Sequence, residues 1–203
     1  MLETKKPPTL ETERLVLLPW RLEYADDMLL FASNENVITA AEWKLVDNIK
    51  KAQKKIQGYL DKKSNEWAIA LKENGENKII GTIGMHRNIF NNYRAIGIQA
   101  ISSNEDKLMI DFGYLIAEEY WGKGIATEAS KKIINYAFIE SKCDVMTVWH
   151  RVSNHRSKRV IEKCNFKLRG IFPKHSPDAP NSKACYFLMR DDYLNLYNIE
   201  ELL

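Results

Sequence analysis

The chain has 203 residues, with 30 Lys+Arg against 27 Asp+Glu and a formal net charge of +3. Apolar residues make up 45% and charged residues 28%, the balance of a soluble globular protein, which excludes collagen-like, coiled-coil and disordered classes. The length suits one domain of moderate size or at most two small ones; one domain over residues 1–203 is expected, with its core between about residues 10 and 190, and the charge is too small to imply general nucleic-acid binding.

Along the chain, Arg14 to Trp20 reads as a short apolar strand. Leu22 to Ala32 has helical spacing, with Tyr24, Ala25, Met28, Leu29, Phe31 and Ala32 as its apolar positions. Asp47 is the expected N-cap of a second helix that buries Ile49, Ala52, Ile56, Tyr59 and Leu60 and leaves Lys50, Lys51, Lys54 and Lys55 mostly wet. Trp67–Leu71 and Lys78–Met85 flank Asn74-Gly75, the pattern of a hairpin with a type I′ turn. Leu108–Ala117 is a strand, Gly124–Ile139 a helix, Val145–Trp149 a buried strand and His155–Cys164 a helix. Phe166–Phe172 and Ala184–Met189 close the pattern as a strand pair. A meander pairs antiparallel, whereas the strand–helix–strand unit from Leu108 to Trp149 makes a parallel pair. The expected fold is α/β: a mixed, mostly antiparallel central sheet with helices on both faces. Two long polar stretches, Asn88–Lys107 and Pro173–Lys183, read as loops that either edge a binding site or are solvated insertions.

Cys143, Cys164 and Cys185 are odd in number and form no close pair, so neither a disulfide framework nor a metal knuckle is expected. They are read as structural or incidental residues of a reducing compartment. Met1 to Pro8 holds Lys5 and Lys6 but no apolar stretch of the signal-peptide kind, and no apolar run approaches the roughly 20 residues of a membrane span. The expected location is the cytoplasm, without a membrane partner.

The most informative segment runs from Asp111 through Gly113, Leu115, Ile116 and Ala117 to Gly122, Lys123, Gly124, Ile125, Ala126 and Thr127. It is a strand, a short turn and a glycine-rich opening of a helix. The first turn of a helix has backbone N–H groups without intrahelical acceptors, and with the positive end of the helix dipole they make an anion site. Gly122, Gly124 and Ala126 let a phosphate approach the backbone; the alternative is a glycine-bearing turn between packed elements. Neither a Walker A nor a Rossmann spacing fits. After the next strand, Arg151, Arg156, Lys158, Arg159 and Lys163 face only Glu162 as an acid. This is either a solvated basic face or the seat of a ligand with several phosphates.

Together these residues resemble the GNAT superfamily of acetyl-CoA-dependent N-acetyltransferases. Trp121 to Ala126 matches its Gln/Arg-x-x-Gly-x-Gly/Ala loop, with Trp in the first place, and Tyr120 to Ala129 is similar to the form found in the ribosomal-protein alanine N-acetyltransferase branch. Asn154 to Phe166 resembles that branch's second hallmark, and Thr12-Glu13-Arg14-Leu15 its usual opening. The resemblance implies that acetyl-CoA is the acetyl donor and that no metal is needed. It implies that the amides of Gly122 to Thr127 hold the pyrophosphate and that the backbone of Leu115, Ile116 and Ala117 pairs with the pantetheine. Asn154 would bond the pantetheine arm, cap its helix, or do both, and Arg159 of the basic helix would join the CoA site. The acceptor implied is a primary amine, a protein N-terminal α-amine in that branch, with polyamines and amino sugars as alternatives. A non-catalytic CoA-binding module and a nucleic-acid binder are the readings from other classes. The oligomeric state expected is monomer or homodimer.

Two departures from the superfamily's pattern matter. Asn165 stands where many members have Gly, and Asn is the next best residue for the left-handed conformation expected there. Ile161 stands where many members place the Tyr thought to protonate the leaving thiolate; Ser157, one turn earlier, is the branch's implied substitute, or else an ordinary first-turn residue. Asp111 is the leading general base, a carboxylate in an otherwise apolar strand, with a structural role as the alternative. His86 is a minor alternative base, Glu118 and Glu119 read as solvated turn residues, and His86, His150, His155 and His175 show no metal-ligand grouping.

Overall fold

The computed structural model describes residues 7–62, 64–73, 76–87, 107–172 and 182–199. In chain order the elements are β1 (Leu10–Glu11), β2 (Leu15–Pro19), α1 (Ala25–Ala32), α2 (Glu35–Ala41), α3 (Ile49–Asp61), β3 (Asn65–Glu73), β4 (Glu76–Arg87), β5 (Met109–Ile116), α4 (Ile125–Asn135), β6 (Val145–Arg151), α5 (His155–Lys163), β7 (Lys167–Phe172), β8 (Lys183–Met189) and α6 (Arg190–Leu196). The eight strands are ordered β1-β2-β3-β4-β5-β6-β8-β7. Among the described ladders only β5 with β6 is parallel, as the β5–α4–β6 crossover requires; the others are antiparallel. This is the mixed α/β architecture expected.

The chain divides into two compact units. The first is Leu2–His86 with Gly113–Ile133, the second Arg87–Phe112 with Ile134–Leu203. In the first, β3 has five consecutive buried residues, Glu66 to Ala70, so both of its faces are covered, while β2 and β4 pair with its two edges. Leu15, Leu17, Trp67, Ile69 and Ile83 of the strands are fully buried, as are Met28 and Phe31 of α1 and Ala52 and Ile56 of α3, and α1 packs on α3. Asn48, not Asp47, caps α3: its side chain accepts from the Lys51 amide at 3.0 Å, while Asp47 accepts from Lys51 Nζ at 2.7 Å. Either side chain is a good cap, and only the residue with extended backbone immediately before the first turn can reach that amide. The strands β3 and β4 pair up to Glu73 and Glu76, the register of a two-residue connection. Asn74-Gly75 itself lies outside the described residues.

A register shift between Ile69 and Ala70 sets two β4 residues, Ile80 and Gly81, against one step of β3. At this bulge Ile80 O accepts from the Ala117 amide at 2.8 Å, and the backbone at Leu115 approaches Gly81 so closely that a Cβ there would overlap the Leu115 carbonyl oxygen. Gly81→Ala should therefore lower stability by about 1–3 kcal/mol. Gly58, in the middle of α3 with open space around it, should respond oppositely, gaining roughly 0.5–1 kcal/mol as Ala. Urea melts of the two variants check this; equal responses would show that the close approach does not constrain residue 81.

In the second unit, Met109, Val145 and Cys185 pack with Trp149, Phe172, Phe187 and Met189, and Phe112 meets Phe166 at 5.5 Å. The helix expected to reach Ile139 is α-helical to Asn135 and continues as a π-turn over Tyr136–Glu140. The short α6, outside the expected elements, buries Tyr193 and Leu194, and Tyr193 stacks on Phe138 at 5.0 Å. Asn165 has φ 64°, and Phe166 N bonds Ile161 O, a left-handed helix stop as expected. Asn165→Gly should be neutral or mildly stabilising, whereas Asn165→Val should cost about 1–2 kcal/mol. Equal melting temperatures for Val and Gly would contradict the strain.

Candidate active site

The glycine loop belongs to the first unit. After β5 the chain makes a single 3-10 turn at Glu118–Tyr120, and α4 begins at Ile125. Gly122 has φ 75° and Gly124 φ 81°, a conformation that strains any side-chain-bearing residue. Residues 122–124 are exposed, and a Cβ on Gly122 would meet open space. Gly124 O accepts the first helical bond, from the Glu128 amide at 3.0 Å, so the amides of Ile125, Ala126 and Thr127 form the first turn and have no intrahelical acceptor. An exposed loop of two left-handed glycines running into these donors fits a pyrophosphate.

The loop is clamped from the far end of the sequence. Arg14 Nη1 donates to Lys123 O at 3.0 Å, and Arg14 Nη2 stands 2.6 Å from Glu128 Oε2. Arg14 Nε and backbone N also donate to the Glu128 carboxylate, at 2.7 and 2.9 Å, and Thr12 Oγ1 donates to it at 2.6 Å. Burial pushes the Glu128 pKa up, but these hydrogen bonds and the Arg14 charge outweigh it and hold the carboxyl below its ordinary value. The stability it contributes is therefore present above its unfolded pKa and lost as pH falls through the folded value. The turn before the loop is tied down as well. Glu118 is not a solvated residue: it accepts from Asn34 Nδ2 at 2.9 Å and Asn36 Nδ2 at 3.0 Å, while Asn34 Oδ1 caps α2. Trp121 Nε1 donates to Ile116 O at 2.8 Å. Of the expected pantetheine-pairing residues Leu115, Ile116 and Ala117, all buried, Ala117 has its N–H committed to Ile80.

Comparison with known proteins agrees with this loop. The sequence profile of the Acetyltransferase (GNAT) domain matches residues 14–167. The chain belongs to the GNAT acetyltransferases. It is 26% identical over 172 residues to the uncharacterized N-acetyltransferase YoaA of Bacillus subtilis, covering 83% of this chain and 88% of that protein. An acetyltransferase structure of the GNAT family from Bacillus anthracis superposes with a TM-score of 0.71 at 20% identity, over 91% of this chain and 99% of that one. The microcin C7 self-immunity acetyltransferase MccE, solved in complex with acetyl-CoA and AMP, superposes with a TM-score of 0.65 at 22% identity, over 88% and 93% of the two chains. The protein is an N-acetyltransferase of a family that uses acetyl-CoA.

The remaining GNAT positions lie in the second unit. Asp111 is half-buried on β5, and its Oδ1 accepts from the buried Thr147 hydroxyl at 3.1 Å. The parallel ladder of β5 with β6 covers three pairs and its last pair is Asp111 with Thr147. Asn154 is the N-cap of α5, its Oδ1 accepting from the Ser157 amide at 3.1 Å. Ser157 is half-buried, and Arg156, Lys158, Arg159 and Lys163 are exposed along the same helix. Ile161 is fully buried, so the position of the usual Tyr is part of the core. His150 is buried too, its Nε2 3.3 Å from the Tyr186 hydroxyl. All three cysteines are free and buried, and burial pushes the Cys143 and Cys185 thiols up to about 12, which keeps them protonated and unfit as nucleophiles. Among the described residues no three His, Cys, Asp or Glu are grouped to hold a metal ion, and no helix is long and apolar enough to cross a membrane. The loops 88–107 and 173–183, apart from Lys107 and residues 182–183, lie outside the described residues, as does His175.

Sequence reasoning missed two parts of this arrangement. Arg14 and Glu128 are 114 positions apart and carry no local signal of their pairing, although the Thr-Glu-Arg-Leu opening marked the segment. The second is a buried carboxylate, Glu66, on β3.

Proposed function

We propose that the protein transfers the acetyl group of acetyl-CoA to a primary amine, with a protein N-terminal α-amine as acceptor and no covalent enzyme intermediate. The observation that carries the reading is the exposed loop of left-handed Gly122 and Gly124 running into the open first turn of α4 and held by Arg14. Its amides, Gly122 to Thr127, hold the pyrophosphate. Ile116 offers its strand backbone to the pantetheine, Asn154 bonds the arm while capping α5, and the exposed guanidinium of Arg159 meets a CoA phosphate.

Positioning both reactants supplies much of the rate, on the order of 7–11 kcal/mol in favourable cases. The amine lone pair attacks the thioester carbonyl, the C–S bond breaks, and the nitrogen gives up a proton to Asp111, whose carboxylate is oriented by Thr147. With Ile161 in the core, Ser157 at the capped start of α5 is the hydroxyl assigned to the leaving thiolate. The protein-amine acceptor is supported by the Tyr120–Ala129 and Asn154–Phe166 motifs. The free, buried thiols support a reducing, cytoplasmic setting. The test is CoA-thiol release across N-terminal peptides, polyamines and amino sugars. Turnover confined to the small amines would reassign the acceptor. A melting temperature that does not rise with saturating acetyl-CoA would remove the donor assignment.

A further inference from the structure

In the second unit the sheet has two unlike faces. Side chains alternate along each strand, so the registers put Asp111 of β5, Thr147 and Trp149 of β6, and Phe187 and Cys185 of β8 on one face. Phe172 of β7 joins them: its ladder partner is Lys183, two residues from Cys185. The opposite face carries Ile110, Phe112, Met146, Val148, Tyr186 and Leu188, all buried. The helix α5 lies on that opposite side. It packs on β6, Phe166 beyond its end meets Phe112, and the Glu162 charge acts on His150 and Tyr186.

The face that holds Asp111 is covered less well. Trp149, Phe172 and Phe187 are only half-buried there, three aromatic rings grouped around the buried Cys185. Asp111 stands beside them. Its Oδ1 accepts from Thr147 Oγ1, Thr147 is the ladder partner of Phe187, and the Asp111 charge adds to the burial that raises the Cys185 thiol. Two cations already stand on the rings, Lys183 Nζ 3.7 Å over Trp149 and the Arg169 guanidinium 5.8 Å over Phe187. Such a face suits an apolar side chain and disfavours the second ammonium of a polyamine.

We propose that Trp149 and Phe187 form a specificity subsite for the acceptor, holding the apolar side chain of the second residue of a polypeptide whose α-amine meets Asp111. The proposal rests on the acetyl-transfer reading with Asp111 as base, which fixes the amine at that carboxylate. Trp149 is two residues along β6 from Thr147, about 7 Å. The second Cα of an extended peptide is about 5 Å from its α-amine, which brings that residue's side chain to the Trp149 ring. Asn154 and Ser157, the residues assigned to the donor, belong to the helix on the other side of the sheet, so the aromatic face is left to the acceptor.

The test uses the full chain with acetyl-CoA and two hexapeptides, one beginning alanine–leucine and the other alanine–serine but otherwise identical. The readout is the ratio of their kcat/KM values. Wild type should prefer the leucine peptide by about 10-fold or more, the discrimination that an apolar pocket gives. Trp149→Ala should bring the ratio close to one, chiefly through a higher KM for the leucine peptide, and Trp149→Phe, which keeps a ring, should restore most of it. Phe187→Leu is the milder second variant, should Trp149→Ala fail to fold, and should lower the ratio about threefold. Ile171→Ala removes an exposed apolar side chain from the other face of β7 and should leave the ratio as it is. The acetyl-CoA Kd should stay the same throughout. A wild type that turns over both peptides equally, or a ratio indifferent to residues 149 and 187, would overturn the subsite while leaving acetyl transfer standing. Turnover that survives Asp111→Asn would remove the base, and with it the subsite's placement. A wild type that releases no thiol with either peptide would overturn the peptide acceptor and the subsite together.

Discussion

Gly124→Glu should abolish acetyl-CoA binding in a protein that still folds. Gly124 has φ 81°, so any side chain costs about 1–2 kcal/mol there, enough to lower the melting temperature without unfolding a domain of this size. The added carboxylate sits at the head of the first turn of α4, where the free N–H groups and the helix dipole favour an anion, and it competes with the pyrophosphate for them. A new Cβ would also come within 3.4 Å of Arg14 Nη2, drawing the guanidinium away from Lys123 O and Glu128. Gly124→Ala separates the two effects: it has the strain and not the charge, and should keep measurable affinity. Calorimetric titration of acetyl-CoA into both variants is the measurement. Equal affinities for Glu and Ala would mean that the phosphates are held elsewhere.

Asp111→Asn should lower turnover about 10²–10⁴-fold, the range for a positioned general base, with little change in the acetyl-CoA Kd. The substitution is conservative in this setting because the Thr147 hydroxyl can donate to the Asn carbonyl oxygen as it does to Asp111 Oδ1. Strand pairing at Asp111 and Thr147 uses backbone groups and is untouched. Partial recovery at high pH is expected, where solvent hydroxide can take the proton that the nitrogen sheds. Turnover within threefold of wild type would make Asp111 a structural carboxylate. A large loss together with a collapse in melting temperature would show that its charge supports the strand.

Elements with a strong period were legible from sequence: β2, α3, β5, α5 and the closing strands stand within a few residues of their expected bounds. What escaped has a physical reason in each case. The helix α2 buries only Val37 and is held by the Asn34 cap and its bonds to Glu118, partners 84 positions away that no local pattern reveals. The helix α6 follows β8 without a break, so no turn residue announces it. In the glycine loop the positions were readable because left-handed turns restrict residue type so sharply. The Arg14–Glu128 clamp and the burial of Glu66 beside its ladder partner Gly84 were not, since both exist only through strand pairing and long-range packing. Asn154 shows the intermediate case: its N-cap bond is local and was open to reading, while its role toward a ligand rests on resemblance.

The clamp has a thermodynamic corollary. Thr12 and Arg14 reach the loop from the segment that joins β1 to β2, so whatever steadies the loop must steady that segment by the same free energy. Filling the loop with a ligand should then slow amide hydrogen exchange at Thr12, Arg14 and Leu15, remote in sequence from every residue that would touch the phosphates. The converse binds equally: a change that frees Thr12 and Arg14 from Glu128 and Lys123 O should loosen the phosphate loop and weaken the hold on the donor.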